Sequence, residues 1–414
     1  MFMDVVTMLD ELQGKALHDA EVRNRFLNTK KSLEPITEFC KVCQELGYEL
    51  YEMDLICAGE EFHAAMKRST NGGGENSPML SGEDDFYELF MASITERKNT
   101  DFIIIGASIL DVLAQPVTTD VFQTGSVSAS HVAIHTGGDA LNEATVLAAL
   151  GSNVRLVSKT GTDYAGKYIQ THCRQSKIDT TFLLEEESLE TGVNLVLVDD
   201  SGERHFITSQ NGSLRKLSPK DISDQALLGG RYLCFASIFV FPTFDDNALT
   251  QLFSKSKAKG LILCADMTKC KHGETLEDIK NCLSLLDYIF PNYEEASLLT
   301  GLTDWDEVAD AFLGCGVGCV VLKAGARGCF IKTKTERYWI PAYLHACCLD
   351  TTGAGDTFTA CFLDALDHGM PLPECGAFAN AGASICIEQI GAAKGVKNRA
   401  QVMERYSHIL SSME

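Results

Sequence analysis

The sequence predicts an α/β fold: a doubly wound, mostly parallel sheet with a small antiparallel β lid, preceded by an all-α module. Three observations predict it. From Thr100 onward, short β-rich apolar runs alternate with helical patterns, as in parallel sheets covered on both faces. Two stretches, "VFQTGSVSASHVAIHTG" and "VNLVLVDDSGERHFIT", break the alternation with successive short strands. Ahead of Thr100 the chain reads first as helix and then as a Gly-, Ser- and Asn-rich stretch.

In chain order, residues 1–70 form the helical module. "DVVTMLDEL" has apolar residues at helical spacing; "SLEPITEFCKVCQELG" opens on a capping-type Ser and closes on Gly47. "GEEFHAAMKRS" is a further helix, and residues 71–99, around "STNGGGENSPMLSGEDD", read as a flexible linker. Residues 100–414 form the main domain. Its strands are "DFIIIGASILDVL", "NVRLVSKTG", "TGVNLVLVDD", "YLCFASI", "GLILCADM", "LDYIFPN" and "GCVVLKAGARG". Its helices include "ALNEATVLAALG", "DNALTQLFSKSKAKG", "EEASLLTG", "DEVADAFLGCG" and "DTFTACFLDALDHG". Lid strands are expected near 115–136 and 191–209.

Composition excludes some functions. A net charge of −22 repels nucleic acid and anionic membranes, so neither is expected as a partner. No apolar run approaches the roughly 20 residues of a membrane span, and "MFMDVVTMLDEL" carries acids where a signal peptide would be apolar. Sixteen cysteines, several of them inside apolar runs such as "LILCADM" and "ACFLDAL", read as reduced, buried thiols. Cys40 and Cys43 have metal or redox spacing, but without a second pair they read as core. The expected location is the cytoplasm.

Ligands of doubly wound sheets bind beyond the carboxyl ends of the strands. Asp111, Asp266, Asn292, Gly325 and Gly328 each follow an apolar run, and Asp350 to Asp356 precede a helix. In "DTTGAGDTF" the glycines stand at a helix N-terminus, where free N–H groups attract an anion. Gly353 and Gly355 let a ligand approach the backbone. Asp356 is then either an acid that stabilises the helix start or a general base beside an anion hole. Gly137 and Gly138 precede a second helix, with Asn142 one turn in. This is either a turn before a buried helix or a surface for a hydroxylated ligand, with Asp111, Asn142 and Asp266 as hydrogen-bond partners. Asn292 and Glu295 share one face of a helix start, either as a cap or as holders of hydrated Mg²⁺ and phosphate. "LKAGARG" and Asn380 in "FANAGAS" read as a nucleotide surface or as tight packing.

Together "DTTGAGDTF", "GGDALNEATVLAALG", Asn292-x-x-Glu295 and "KAGARG" resemble the ribokinase-like carbohydrate kinases, the phosphofructokinase-B family, over residues 100–400. The nearest resemblance is to bacterial sugar kinases carrying "GGDA" and "CADM". It implies ATP- and Mg²⁺-dependent phosphorylation of a primary hydroxyl on a sugar or sugar derivative. Asp356 would be the base, and Gly353, Ala354 and Gly355 the anion hole. Asp111, Gly137, Gly138, Asp139, Asn142 and Asp266 would face the sugar. Asn292, Glu295, Lys323, Gly325, Gly328 and Asn380 would serve ATP, with Glu295 reaching the Mg²⁺ through water. The resemblance also implies dimerisation through the lid. Some members need a monovalent cation such as K⁺, for which Asp350 and Gly391 would be the site here.

Three features depart from the family pattern. Asp139 stands where ribokinases carry a lysine, which disfavours a phosphorylated substrate. Lys323 replaces Thr or Ser. The N-terminal module, with "FCKVCQELGYEL", is similar to a helical leader-peptide family of nitrogen-fixation gene clusters, and a protein or peptide partner is expected for it. A nucleoside kinase of the same fold and a non-catalytic sugar sensor are the alternatives.

Overall fold

The computed structural model describes residues 5–18, 20–30, 32, 34–55, 87, 90–91, 100–200 and 203–413. The chain divides into two compact units, Met1–Lys98 and Asn99–Glu414. Among the described residues, no helix is long and apolar enough to cross a membrane.

The first unit contains helices α1 (Val5–His18), α2 (Ala20–Thr29) and α3 (Pro35–Glu45). Leu12, Phe26, Phe39 and Phe90 close its core, with Phe26 and Phe90 in edge contact at 4.9 Å between ring centres. Glu34, not Ser32, holds the N-cap position of α3, without a side-chain cap bond; the Ser32 hydroxyl instead accepts the Glu34 N–H at 3.2 Å. Gly47, at φ +91°, follows the helix as expected. Cys40 and Cys43 are buried in this core, and burial pushes the Cys40 thiol up to about 11. Most of the stretch read as a linker, and "GEEFHAAMKRS", lie outside the described residues. Tyr87, Phe90 and Met91 within that stretch are helical and packed into the core. Their spacing of three and four presents one apolar helix face, which the flanking Gly, Ser and acids concealed.

The second unit has the expected doubly wound architecture. Its nine-stranded sheet runs β13-β12-β11-β10-β9-β8-β1-β4-β5. The strands are β1 (Thr100–Ile105), β4 (Val154–Gly161), β5 (Asp179–Glu186), β8 (Gly230–Ile238), β9 (Ile262–Met267), β10 (Tyr288–Ile289), β11 (Cys319–Lys323), β12 (Cys329–Thr333) and β13 (Arg337–Ile340). All pairs from β11 to β5 are parallel; the β11–β12 and β12–β13 pairs are antiparallel, so β12 alone runs against the other strands. β1 and β8 are almost wholly buried, as strands covered on both faces must be.

The lid is a separate four-stranded sheet, β3-β2-β6-β7: β2 (Ile109–Gln115), β3 (His131–Gly137), β6 (Val193–Val198) and β7 (Arg204–Thr208). It starts earlier than expected, because "DFIIIGASILDVL" is two strands in two sheets. Gly106 turns the chain where a Cβ would sit 2.9 Å from the Ala140 Cβ. A four-residue helix, α4 (Val121–Thr124), stands inside the first expected lid stretch. The outer lid pairs are antiparallel and the central β2–β6 pair is parallel.

Paired residues share a face of a sheet. Asp111, His135 and Asn194 therefore stand on one lid face, with Arg204 on that face of β7. Val112, Ile134, Leu195 and Ile207 stand on the other.

Candidate active site

Helix α5 (Asp139–Leu150) follows α4 in the chain, and α11 (Ala354–Asp367) follows α6 (Tyr164–Gln175), α7 (Asp246–Ala258), α8 (Lys280–Leu283), α9 (Tyr293–Thr300) and α10 (Trp305–Gly314). α5 and α11 bring two of the sequence motifs together. Gly353 caps α11 at φ +72°, a backbone that disfavours side chains, and a Cβ there would lie 2.7 Å from the Ala392 Cβ. First-turn N–H groups have no carbonyl one turn back inside the helix. The Ala354 N–H is nonetheless taken by the Thr351 carbonyl at 3.2 Å, which leaves Gly353 and Gly355 as the stronger anion-hole candidates. On α5, Gly138 is the cap at φ +93°, and a Cβ there would meet the Ala107 carbonyl at 2.6 Å.

The two helix starts meet through side chains: Asn142 Nδ2 donates to Asp356 Oδ2 at 2.7 Å. Asn142 Oδ1 is buried without a partner among the described residues. Burial lifts the Asp356 carboxyl to about 8, and the charge of Asp139 adds to the rise; the Asn142 N–H and Lys323 oppose it. Asp139 is itself raised by burial, against a hydrogen bond from the Ser237 hydroxyl and the charge of Lys323.

Lys323 sits at the end of β11, and its ammonium pairs with Asp266 at the end of β9. The Thr359 hydroxyl donates to the same carboxylate at 3.0 Å, and the Met267 N–H bonds its other oxygen at 2.8 Å. Asp266, expected to face the sugar, is thus paired on both carboxylate oxygens with Lys323, Thr359 and the Met267 N–H instead. A Cβ on Gly355 would lie 3.4 Å from Lys323 Nζ, so the cation borders the candidate anion hole. Burial works against the ammonium, but Asp266 and Glu295 outweigh it and hold its pKa above the ordinary lysine value.

Asn292 and Glu295 form a reciprocal cap on α9. The Glu295 N–H bonds Asn292 Oδ1 at 2.8 Å, and the Asn292 N–H bonds Glu295 Oε2 at 3.1 Å. The capping alternative therefore holds, yet Glu295 also faces the cluster. Burial lifts its carboxyl to about 7, Lys323 opposes the rise and Asp266 adds to it. Glu143, one residue beyond Asn142, is a fully buried acid that the sequence reading passed over. Burial, Asp266 and Asp356 push its carboxyl far up, and neither oxygen has a nitrogen or oxygen partner among the described residues. Asp139, Asp266, Glu295 and Asp356 all act on the one lysine, and a bound cation would further offset the repulsion among these acids.

The lid supplies the opposite wall. Asn194 Nδ2 donates to Asp111 Oδ1 at 3.1 Å. Gly137 leaves the room Asp111 needs, since a Cβ there would lie 2.2 Å from its carboxylate. Asn194 Oδ1 and His135 Nε2 are buried without partners among the described residues, as groups awaiting a hydroxylated ligand would be. Asn194, Ser237 and Arg204 were missed from sequence. Their signal was alternation: Asn194 and Arg204 are polar positions on the Asp111 face of the lid strands, whose faces the sequence reading did not separate.

The nucleotide candidates divide. Gly325, at φ +56°, faces open space. Gly328 is packed instead, with a Cβ position 2.0 Å from the Ile340 carbonyl oxygen. The buried Asn380, on α12 (Leu372–Cys386), donates to the Ile340 and Pro341 carbonyls at 3.2 and 3.0 Å. These two residues hold the β12–β13 edge behind the loop, which is the packing alternative. Asp350 accepts the N–H groups of Thr352 and Gly391 at 2.6 and 2.8 Å and pairs with Arg204.

A family model for "pfkB family carbohydrate kinase" matches residues 99–399. A ribokinase of Haemophilus influenzae is 28% identical over 277 residues, covering 66% of this chain and 87% of that protein. The solved structure of Arabidopsis thaliana ribokinase complexed with ribose and ATP is similar at a TM-score of 0.64 and 24% identity, covering 74% of this chain and 98% of that one. A structure described as a ribokinase II from E. coli, in complex with ATP and Mg²⁺, is similar at a TM-score of 0.64 and 19% identity, covering 75% and 99%. At these identities the two structures speak for the fold alone.

Proposed function

The chain belongs to the pfkB family of carbohydrate kinases, and from that premise we propose that it transfers the γ-phosphoryl group of ATP to a primary hydroxyl of a non-phosphorylated sugar or sugar derivative. The observation that carries this reading is the contact of Asn142 with Asp356 beside the Gly353–Gly355 turn. It sets a base of raised pKa, a hydroxyl-binding amide and an N–H-rich helix start at one point.

Asp356 takes the proton of the sugar hydroxyl as its oxygen attacks the γ-phosphorus and the bond to the ADP oxygen breaks. The N–H groups of Gly353 and Gly355 and the Lys323 ammonium meet the charge spreading over the transferred group. Asn142 orients the base through Nδ2 and offers Oδ1 to a neighbouring hydroxyl. Asp111 and Asn194 hold further hydroxyls from the lid, and Asp139 with Ser237 closes the far side. An acid-lined pocket of this kind disfavours a phosphorylated sugar. Glu295 would hold magnesium through water, and the ion when bound would neutralise phosphate charge. A monovalent cation at Asp350 and Gly391 would have to share the carboxylate with Arg204.

The outer lid face exposes Val132, Ile134, Leu195 and Ile207. A contiguous apolar face on a thin sheet fits a second copy of the chain. Residues 100–414 are the kinase domain in this reading. The N-terminal unit, with Tyr51 and Met53 exposed, is the place for a protein or peptide partner. Free thiols fit a cytoplasmic location; most of the described ones are buried as expected, but Cys347 and Cys348, in the loop after β13, are exposed.

The test is an ATP-consumption assay over a panel of sugars and nucleosides. Turnover with a free sugar is expected. Turnover confined to nucleosides would replace the sugar reading, and ligand binding with no turnover on the whole panel would favour a sensor.

A further inference from the structure

The candidate anion hole does not stand by itself. Asp350 opens the turn that leads to Gly353. Its carboxylate joins two backbone segments, through the Thr352 N–H at 2.6 Å and the Gly391 N–H at 2.8 Å. The residue after Gly391 is Ala392, which fills the place a Gly353 Cβ would take, at 2.7 Å. One carboxylate therefore holds both walls of the turn. Its counter-charge comes from the lid, as Arg204 of β7, with the Asp350 side chain 3% exposed. Burial works against the Asp350 charge, but the Gly391 and Thr352 N–H groups and Arg204 outweigh it and hold its pKa below the usual value.

A second lid strand touches the same wall. His135 of β3 lies against Gly391, where a Cβ would be 3.0 Å from the imidazole Cδ2, and Lys394 Nζ stands 2.5 Å from His135 Nδ1. The same face of the lid carries Asp111 and Asn194 to the candidate sugar site. One small sheet thus grips the sugar side and the phosphoryl side at once. With the lid raised, Asp350 would keep its N–H donors and lose its counter-charge.

We propose that Arg204 is a positioning residue for phosphoryl transfer: brought down with the lid, it fixes Asp350 and through it the Gly353–Gly355 turn, so that sugar held under the lid sets the anion hole. This rests on reading that turn as the anion hole. Phosphate-binding amides that form only over bound sugar would also restrain ATP hydrolysis by water.

The test uses the full chain, Mg·ATP and the panel sugar that gives the greatest turnover. Arg204→Gln should lower kcat by about 10- to 100-fold while sugar KM stays within about threefold, the mark of misplaced rather than missing groups. Arg204→Lys should recover part of the loss. Hydrogen exchange at residues 350–356 should quicken by about tenfold in Arg204→Gln, with the core strand β9 unchanged. An unaltered kcat overturns the proposal. So does a raised KM with kcat intact, which would make Arg204 a substrate ligand. Should the variant lose protection in β9 as well, the wild-type chain decides: sugar without nucleotide should slow exchange at 350–356, and no slowing overturns the coupling. A wild-type chain that turns over no sugar would defeat the kinase reading separately, because the exchange comparison between wild type and variant does not depend on turnover.

Discussion

Asn142 and Asp356 lie 214 positions apart in sequence, and their side chains meet at 2.7 Å where two helices begin. The contact engages Oδ2, so in the proposed mechanism Oδ1 is the oxygen that takes the substrate proton. Asp356→Asn keeps the shape and removes the base. We expect kcat to fall by about a thousandfold, within the range of general-base effects, while sugar affinity by calorimetry changes little. Turnover near the wild-type level would remove Asp356 from the base role.

The pH dependence follows from the same residue. Burial first, and Asp139 second, lift the Asp356 carboxyl to about 8, whereas an unfolded aspartate titrates near about 3.9. Between those values the folded chain keeps a proton that the unfolded chain has released. The linked stability is complete below the lower value and is lost as pH rises towards the upper one. The difference in Tm between wild type and Asp356→Asn should therefore widen against the wild type from about pH 5 to about pH 8. Activity runs the other way: kcat/KM should rise with pH through the same carboxyl, and Asp139→Asn should move that limb to lower pH. A limb that stays in place would mean that Asp139 does not load the base.

Much of this was legible in sequence, for physical reasons. Strand-to-helix alternation marked the parallel sheet, because a buried strand must be apolar throughout. Glycines before two helices marked the turns that meet at Asp356. Pairing was not legible. Asp266 and Lys323 each ended an apolar run, and nothing local showed that β9 and β11, which flank β10, would bring them together. Glu143 hid within a helix pattern as an apparently solvated acid. Gly328 and Asn380 had the composition of a ligand surface, but the carbonyls they pack against belong to Ile340 and Pro341, at and just past the end of β13 and more than ten residues away in sequence.

The outer lid face predicts self-association. Val112, Ile134, Leu195 and Ile207 share it by strand register. Ile134→Asp should shift sedimentation towards monomer without unfolding the main sheet. An unchanged sedimentation coefficient would point to another interface.

Lys323 borders the candidate anion hole at Gly355, and it is held by Asp266. Lys323→Met removes the charge that would meet the transferred phosphoryl group and leaves a buried carboxylate alone. We expect kcat to fall by about 10- to 100-fold. Stability should drop by roughly 3–5 kcal/mol, the cost of breaking a buried pair from one side. Adding Asp266→Asn should return part of the stability and none of the rate. Recovery of both would show that Lys323 serves packing alone.

Gly353 and Gly355 stand two positions apart and should fail differently. An alanine at 353 would be held at a left-handed φ of +72° with its Cβ 2.7 Å from that of Ala392. Strain and overlap together should cost about 2–4 kcal/mol, visible as a lowered Tm and as weakened exchange protection across the turn. Gly355 has no such φ, and its Cβ would meet only the end of the flexible Lys323 side chain at 3.4 Å. Gly355→Ala should fold with a Tm near that of the wild type, yet its methyl would occupy the approach between Lys323 and the helix start. The expected result is a stable protein with a raised KM for ATP and a lowered kcat. If Gly355→Ala turned over normally, the phosphoryl group would have to approach from another side of the turn.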